Sequence, residues 1–588
     1  MKKKVISSVL SLCLLLAFAM MLAGCATDNT PVLRVYNWED YISEPTESED
    51  GSAGDDYVDL IAEFEREYGV RLEYSTFGTN ENMYNELQIN PGSYDLVCPS
   101  DYMIMKMISE GMVEEFSDDF LQNSNYAKYA SPYIQNLFEA NYATVNEEKH
   151  YWSDYSVPYM WGTMGYVYDP AISESVEQDL SSWAGIWDAR YASKATIKDS
   201  VRDSYFLGVA VAYREELMQL KEQYDGGTIG ADDYNARITE IMNRTDEDTL
   251  EKTKNALISL KENLYGFEVD SGKQDMVAGR ISINFAWSGD AVYTMDDAEP
   301  YYEEDGTYVE GIYLNYIVPE ECSNIWFDGW VMPKGANTEL AEMFIDFLSR
   351  PENAVANMNY IGYTSSIAGD AVFEEMVDWY DESADPDNRG FDEDGNALVP
   401  YDLNYFFNGT SDGNHADGDF IIYVSEESAK RQISAQYPTE EVLVRSAIMQ
   451  HFDDDINAAV NEMWEEVKGL PIPIWAYIVI AAIAAAGIAI GLSYMYKGKR
   501  SEPKPKKGYG REPYGLTSAA ERPRFKNSGC TGAAGNGGNH ERTRHHRAGP
   551  GRHFGGTLCR ARRRSRHRGR QRRRRPRQNG NDPELLRF

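Results

Sequence analysis

Four places in the chain set a large aromatic ring beside a carboxylate: Trp38 with Glu39, Tyr102 with Asp101, Trp287 with Asp290, and Trp326 with Asp328. This combination suits organic cations. An aromatic face attracts an ammonium by ~0.5 to 2 kcal/mol and covers the methylene groups beside it, while a carboxylate pairs with the charge. An elongated polyamine makes both demands at once. Any one of these tryptophans taken alone serves equally well as core packing; four such pairs together point to a cation site.

Other chemistries find less support. His150, His415 and His451 are widely separated and lack zinc-like spacing. Asp453-Asp454-Asp455 has neither the glycine nor the spaced ligands of a calcium loop and reads as a solvated cap before the last helix. There is no Gly-x-Ser-x-Gly elbow and no cysteine with an evident histidine partner. Acids are abundant enough for a glycosidase pair, but abundance without a pattern is no signature. The expected protein is a binder rather than an enzyme, with no cofactor and no metal.

The elements that must position these pairs alternate between strand and helix. Val32 to Tyr36 is an alternating strand running into Asn37-Trp38-Glu39-Asp40-Tyr41, and ligands of open α/β sheets are met at such strand ends. From Tyr57 to Tyr68 the residues Val58, Leu60, Ile61 and Phe64 form one helical face, with Gly69 as its stop. Val70 to Tyr74 and Tyr94 to Cys98 are further strands, the second leading into Pro99-Ser100-Asp101-Tyr102. The rhythm continues through Ser156 to Tyr168, Ala195 to Ile197, a polar helical stretch from Asp203 to Tyr265, Ile281 to Trp287, and Ile312 to Pro319. Leu340 to Leu348 is a helix ended by Arg350-Pro351, residues 380–419 read as a long loop, and residues 441–468 as a closing amphipathic helix. This pattern predicts an α/β fold. Cys98 and Cys322 are the only cysteines of the body; two buried thiols are expected, with a single bridge as the alternative.

The N-terminus reads as an address. Lys2 to Lys4, an apolar run from Val5 to Leu22 and the small residues before Cys25 have the anatomy of a secretory signal. Leu22-Ala23-Gly24-Cys25 resembles the bacterial lipobox, which implies that Cys25 is lipidated and becomes the new N-terminus. Residues 1–496 hold 29 Lys and Arg against 89 Asp and Glu, a balance of −60, whereas residues 497–588 hold 27 against 6, a balance of +21. Such an acidic body repels phosphate backbones, which argues against nucleic acid as its partner. Trp475 to Tyr494 carries no charge and is long enough to span the ~30 Å of a bilayer core. Lys497, Lys499 and Arg500 follow at once and place that end in the cytoplasm. The body is then expected outside the cell membrane, tethered at both ends. Beyond it, the basic tail with Arg572 to Arg575 reads as low-complexity sequence, a lipid- or RNA-touching segment being the alternative.

Several motifs follow one another in an order similar to that of spermidine/putrescine-binding proteins of ABC transporters. They are Asn37 to Tyr41, Tyr74-Ser75-Thr76-Phe77, Asn82-Met83-Tyr84, Tyr94 to Ser100 and Val157 to Thr163, then Asp199 to Asp203, Trp287 to Ala291, Trp326-Phe327-Asp328 and Ile361-Gly362-Tyr363. The resemblance covers residues 32–468. It implies a two-lobed type II periplasmic-binding-protein clamp, to which the sequence adds a C-terminal transmembrane helix.

Carried over residue by residue, the resemblance implies ligand contacts from Trp38, Glu39, Ser100, Tyr102, Ser200, Asp203, Phe267, Asp270, Trp287, Asp290, Trp326 and Asp328. Trp38, Tyr102, Trp287 and Trp326 would flank the aliphatic chain, and Asp203, Asp290 and Glu39 would hold ammonium groups. Arg202 would orient a neighbouring carboxylate. Ser200 stands where relatives carry a carboxylate, which leaves the choice between spermidine and putrescine open. The implied division is a signal peptide at 1–24, lobe 1 at 32–161 and 288–333, lobe 2 at 162–287 and 334–468, a membrane helix at 473–496 and a tail at 497–588. Crossings are expected near Trp161-Gly162, near Trp287 to Asp290 and near Pro333. The implied partners are a polyamine and the permease subunits of an ABC transporter. The alternative is a same-fold binder of ferric ion, thiamine or another amine.

Overall fold

The computed structural model describes residues 30–45, 57–302, 306–385, 389–411 and 419–469 of the chain, all within one compact unit. Cys25, the expected span at 473–496, the tail at 497–588 and most of the acidic loop 43–56 lie outside these residues. Among the described residues no helix is long and apolar enough to cross a membrane.

Twelve strands belong to one sheet: β1 (Val32–Trp38), β2 (Arg71–Phe77), β3 (Leu96–Val97), β4 (Val113–Glu114), β5 (Ser156–Tyr168), β6 (Ala195–Lys198), β7 (Gly266–Glu268), β8 (Ile283–Trp287), β9 (Asn315–Ile317), β10 (Ser323–Pro333), β11 (Thr364–Ser365) and β12 (Ser446–Ala447). The order is β2-β1-β3-β10-β5-β8-β6-β7, with β9 and β11 added to β5, and β4 and β12 to β10. At one end β1 runs parallel to β2 and β3; at the other β6 runs parallel to β7 and β8. Between them β5 and β10 pair antiparallel, their register slipping at a bulge between Asp328 and Gly329.

These two long strands join the lobes. Val157 to Trp161 of β5 share a hydrophobic core with Leu33, Phe64, Leu96, Phe327 and Phe344. Further along β5, Met164, Tyr166 and Tyr168 enter a second core with Trp183, Phe206, Phe285 and Trp464. Val167 faces a smaller layer with Ala291, Met295 and Tyr316 on the other side of the same sheet. The result is a two-lobed α/β architecture of layered sheet and helix.

The helices that matter for the site are α1 (Leu60–Tyr68), α2 (Asn80–Ile89), α3 (Asp101–Ser109), α4 (Val201–Ala212), α5 (Arg214–Asp225), α6 (Ala231–Met242), α7 (Glu247–Lys261), α8 (Ser271–Val277), α9 (Ser288–Ala298), α10 (Thr338–Leu348), α11 (Gln432–Gln436) and α12 (Asp454–Lys468). Helix α1 starts at Leu60 because the Asp59 carboxylate accepts from Ala62 N, and it ends at Gly69, whose φ of 64° suits a residue without Cβ. The polar stretch 203–265 is divided among α4 to α7 rather than continuous. Residues 380–419, expected to be a loop, include a strand Val399–Asp402 paired with Ile421–Val424 and a short helix carrying buried Phe406 and Phe407. The expected closing helix begins at Asp454, since Ser446 and Ala447 already pair with β10.

The cores divide the chain differently from the expected lobes. Helix α9, expected in lobe 1, buries Ala291, Val292 and Met295 in the third layer, on the lobe 2 sheet. Residues from Leu340 to Tyr437, expected in lobe 2, bury Phe344, Met358, Phe406 and Tyr437 in the first core. Strand β5 passes from the first core to the second between Trp161 and Met164. The chain then crosses between Cys322 and Ile325, and again between Leu443 and Met449, not near Trp287 or Pro333. Cys98 and Cys322 are free, buried and in different cores, so they are two thiols and not a bridge.

Candidate functional site

The first wall is built where β1 and β3 end, beside the mid-strand bulge of β10. Asn37 is buried at the end of β1; its Oδ1 accepts from Trp38 N at 2.9 Å and its Nδ2 donates to Tyr74 Oη at 2.9 Å. These bonds anchor the turn that swings through Asp40, at φ 54°, and brings Tyr41 inward. The Tyr41 hydroxyl donates to Asp328 Oδ2 at 2.7 Å, and Ser100 Oγ donates to Asp328 Oδ1 at 2.7 Å. Ser100 is fixed by Asn80, which accepts from Ser100 N at 3.0 Å and donates to Ser100 Oγ at 3.0 Å and Tyr102 Oη at 3.1 Å.

The bulge beside Asp328 directs this carboxylate into the seam, an established use of such irregularities. Burial pushes the Asp328 carboxyl up to about 6, against the two hydroxyl donors that favour its ionised form. Among the described residues no lysine or arginine pairs with it. Next to it in the seam, Asp101 is also buried, which lifts its carboxyl to about 8.

The second wall is built where β6 and β8 end. Lys198 closes β6 and Trp287 closes β8. The Lys198 ammonium, with its side chain 1% exposed, donates to Val269 O at 2.8 Å and lies 3.2 Å from Glu268 Oε1 and 3.3 Å from Asp290 Oδ2. It also sits 4.4 Å from the centroid of the Trp287 ring. Asp290, in the first turn of α9, receives a second ammonium from Lys273 at 3.2 Å and a hydroxyl from Tyr363 at 3.1 Å. Burial raises the Asp290 carboxyl, but Lys273 and Lys198 outweigh it and leave the group below its ordinary value. Asp203, in the first turn of α4, is raised by burial, with Ser200 and the Trp287 indole acting as opposing donors.

Several groups close the seam. Tyr363 packs edge-on against Tyr41 and tilted against Trp326, with ring centroids 5.7 and 5.5 Å apart. The Trp326 indole donates to Thr163 O at 3.3 Å and covers Gly162, where a Cβ would lie 2.7 Å from its ring. From α4, the Arg202 guanidinium lies 4.8 Å from the Tyr102 ring and 3.9 Å from Phe452, and donates to Gln450 O at 2.6 Å. Lys106 of α3 reaches Asp454 of α12 at 3.2 Å.

The residues singled out in the sequence are thus partly assembled. Ser100, Tyr102 and Asp328 share one wall, Ser200, Asp203, Trp287 and Asp290 share the other, and Trp326 lies at the strand crossing. Trp38 packs on Phe77 at 4.5 Å, and its buried indole N–H has no partner among the described residues. Glu39 is exposed. Phe267 is not brought to the site; its ring packs edge-on against Trp464 in the second core. Asp270 is 79% exposed and reaches the site only through Lys273, 3.6 Å away. Among the described residues Arg202 makes no ion pair with a neighbouring carboxylate and packs on aromatic rings instead. Residues not singled out include Tyr41, Tyr363, Asn80, Lys198, Glu268 and Lys273. Tyr41 and Tyr363 stand inside the motifs already noted, and Lys198 is a charge at the end of an apolar strand, which was the available signal.

Two lobes joined by long crossing strands, with carboxylates and aromatic rings lining the seam, define a solute-binding clamp. The chain belongs to the family of bacterial extracellular solute-binding proteins, whose profile matches residues 59–382. It is 26% identical over 354 residues to the spermidine/putrescine-binding periplasmic protein of Escherichia coli K12, covering 59% of this chain and 81% of the relative. A putrescine-binding periplasmic protein of the same organism is 24% identical over 360 residues, covering 60% and 83%. Among solved structures, the spermidine/putrescine ABC transporter substrate-binding protein of Streptococcus pneumoniae matches with a TM-score of 0.48 and 22% identity, over 75% of this chain and 99% of that one.

Proposed function

We propose that this chain captures a polyamine of the spermidine/putrescine class between its lobes and delivers it to the permease of an ABC transporter. The observation that carries the reading is Asp328: a buried carboxylate, oriented by two hydroxyl donors, bordered by Tyr41, and without a cationic partner among the described residues. A buried charge of this kind calls for a counter-ion, and an alkylammonium beside aromatic rings answers both the charge and the apolar surroundings. The names of the relatives, which bind spermidine and putrescine, support the same ligand class.

Closure is a population shift. A ligand that touches both walls favours the closed form because only there are all its contacts made. The permease would read that form. On this reading Cys25 carries the lipid that holds the binding domain at the outer face of the cell membrane, and residues 473–496 supply a second tether. Two anchors would keep the domain beside the transporter it feeds.

Titration calorimetry of the full-length chain with spermidine and putrescine tests the reading. Saturable heat and a thermal shift with at least one of them are expected; neither heat nor shift with either would overturn it.

A further inference from the structure

Asp290 is one of the carboxylates expected to hold a ligand ammonium, yet the protein fills that place itself. The Lys198 ammonium has the Trp287 ring 4.4 Å away, Glu268 at 3.2 Å, Asp290 at 3.3 Å and the Val269 carbonyl at 2.8 Å. An aromatic face, two carboxylates and a carbonyl are what an amine-binding pocket presents to the end of a polyamine. Here the occupant is covalently attached.

The remaining bonds show how settled the occupant is. Glu268 also accepts from Asn284 Nδ2 at 2.9 Å and from Gly272 N at 2.8 Å, which hold the carboxylate in place whether or not the lysine is present. Lys273 supplies a second ammonium to Asp290 at 3.2 Å. Asp290 and Glu268 are therefore matched one for one by Lys198 and Lys273. Three buried carboxylates of the two walls then form no ion pair among the described residues: Asp101, whose Oδ1 is turned back to its own helix by Tyr102 N, and Asp328 and Asp203, which stand on opposite sides of the seam.

Resting on the amine-binding reading above, we infer that Lys198 determines specificity by occupying one ammonium position, so that the cleft takes a diamine in preference to a triamine. A diamine places one ammonium at Asp328 and the other at Asp203. The third ammonium of a spermidine-length ligand meets Lys198 and Lys273 where a free carboxylate would be needed. Like charges brought together in a desolvated seam act against the longer ligand, and this discrimination by repulsion is a general route to specificity.

The experiment is calorimetry of the full-length chain with putrescine and with spermidine, on wild type and on Lys198→Met, with the folded state of each checked by its melting transition. Wild type is expected to bind putrescine at least tenfold tighter than spermidine. In Lys198→Met, whose shorter neutral side chain vacates the Trp287, Asp290 and Glu268 pocket, the putrescine-to-spermidine affinity ratio is expected to shift at least tenfold toward spermidine. A wild type that prefers spermidine, or a folded variant whose ratio stays within twofold of wild type, overturns the inference while leaving amine capture intact. Absence of binding to both amines by wild type overturns amine capture and the inference with it. Should Lys198→Met fail to fold, the wild-type ratio decides alone, and Lys198→Arg, which keeps the charge, is expected to leave the preference for putrescine in place.

Discussion

Tyr363 reaches across the seam to Asp290, its hydroxyl donating to Oδ1 at 3.1 Å while its ring lies on the backbone of Gly289. A Cβ at Gly289 would stand 1.8 Å from Tyr363 Cδ1, so the two lobes meet here only because residue 289 has no side chain. Tyr363 packs with the first core and Asp290 belongs to α9 of lobe 2, which makes this contact a reporter of closure.

Gly289→Ala is therefore expected to hold the lobes apart. The ring cannot move far, because Tyr41 and Trp326 border it. Amine affinity should fall at least tenfold, with a larger radius of gyration in small-angle scattering under saturating ligand. Tyr363→Phe removes only the hydroxyl and its bond to a charged acceptor, a loss of ~1.5 to 3 kcal/mol at most. A Gly289→Ala protein with unchanged affinity and scattering would show that the seam closes without this contact.

Asp328→Asn tests the carboxylate that carries the proposed function. The variant keeps the shape and an oxygen that can accept from Tyr41 or Ser100, but it loses the charge. Breaking a buried ion pair by removing one partner costs ~3 to 5 kcal/mol, so amine affinity should drop by more than 100-fold. The pH dependence supplies a second readout. The Asp328 carboxyl lies at about 6, so the carboxylate is available to a ligand above that pH, and protons compete below it. Wild-type affinity is expected to fall by up to about tenfold per pH unit below 6, and the residual binding of the variant to lack that step. Parallel pH profiles for the two proteins would contradict the assignment.

Asp101 offers a stability test independent of any ligand. It is buried, its Oδ1 accepts from Tyr102 N, and its Oδ2 lacks a partner among the described residues. Burial lifts the carboxyl to about 8 from an ordinary 3.8. Between those values the unfolded chain has released this proton and the folded chain has not, so folding is favoured at low pH and loses ground as pH rises toward 8. Asp101→Asn removes the titration. The variant's melting temperature relative to wild type should climb from pH 5 to pH 9, by an amount on the order of 3 kcal/mol in stability. A constant difference across that range would mean that Asp101 is ionised throughout.

Much of this arrangement is legible in the residues themselves, and the remainder fails for identifiable reasons. Strand β1 and helix α1 declare themselves because each has one buried face, Leu33 and Val35 in the first, Leu60 and Phe64 in the second. The pairings Trp287 with Asp290 and Trp326 with Asp328 are local in sequence, so they are visible without a fold. Lobe membership is not, since β5 is buried at every position and no alternation marks where it leaves one core for the other. The partnership of Lys198 with Asp290 joins residues 92 apart, and a lysine beside a carboxylate-rich segment looks like a solvated charge until the strands align. Phe267 is the opposite case: the resemblance implies a ligand contact, and the fold packs its ring against Trp464.

Two further contacts across the seam should differ sharply in their weight. Lys106 lies 3.2 Å from Asp454, but the Asp454 side chain is 91% exposed and Glu110 already holds the same ammonium at 3.0 Å. An exposed pair of this kind contributes ~0 to 1 kcal/mol and is screened by salt. Asp454→Ala is thus expected to change amine affinity by less than about threefold, and the change to vanish at high ionic strength. Arg202 instead lies against the Tyr102 and Phe452 rings, where burial lowers its affinity for its proton and leaves the rings and the Gln450 carbonyl as its neighbours. Such a contact is worth ~2 kcal/mol or more when desolvated, so Arg202→Gln should weaken amine binding by about tenfold or more. If the exposed pair proves the stronger latch in paired calorimetric titrations, closure is governed by surface charge and not by the aromatic seam.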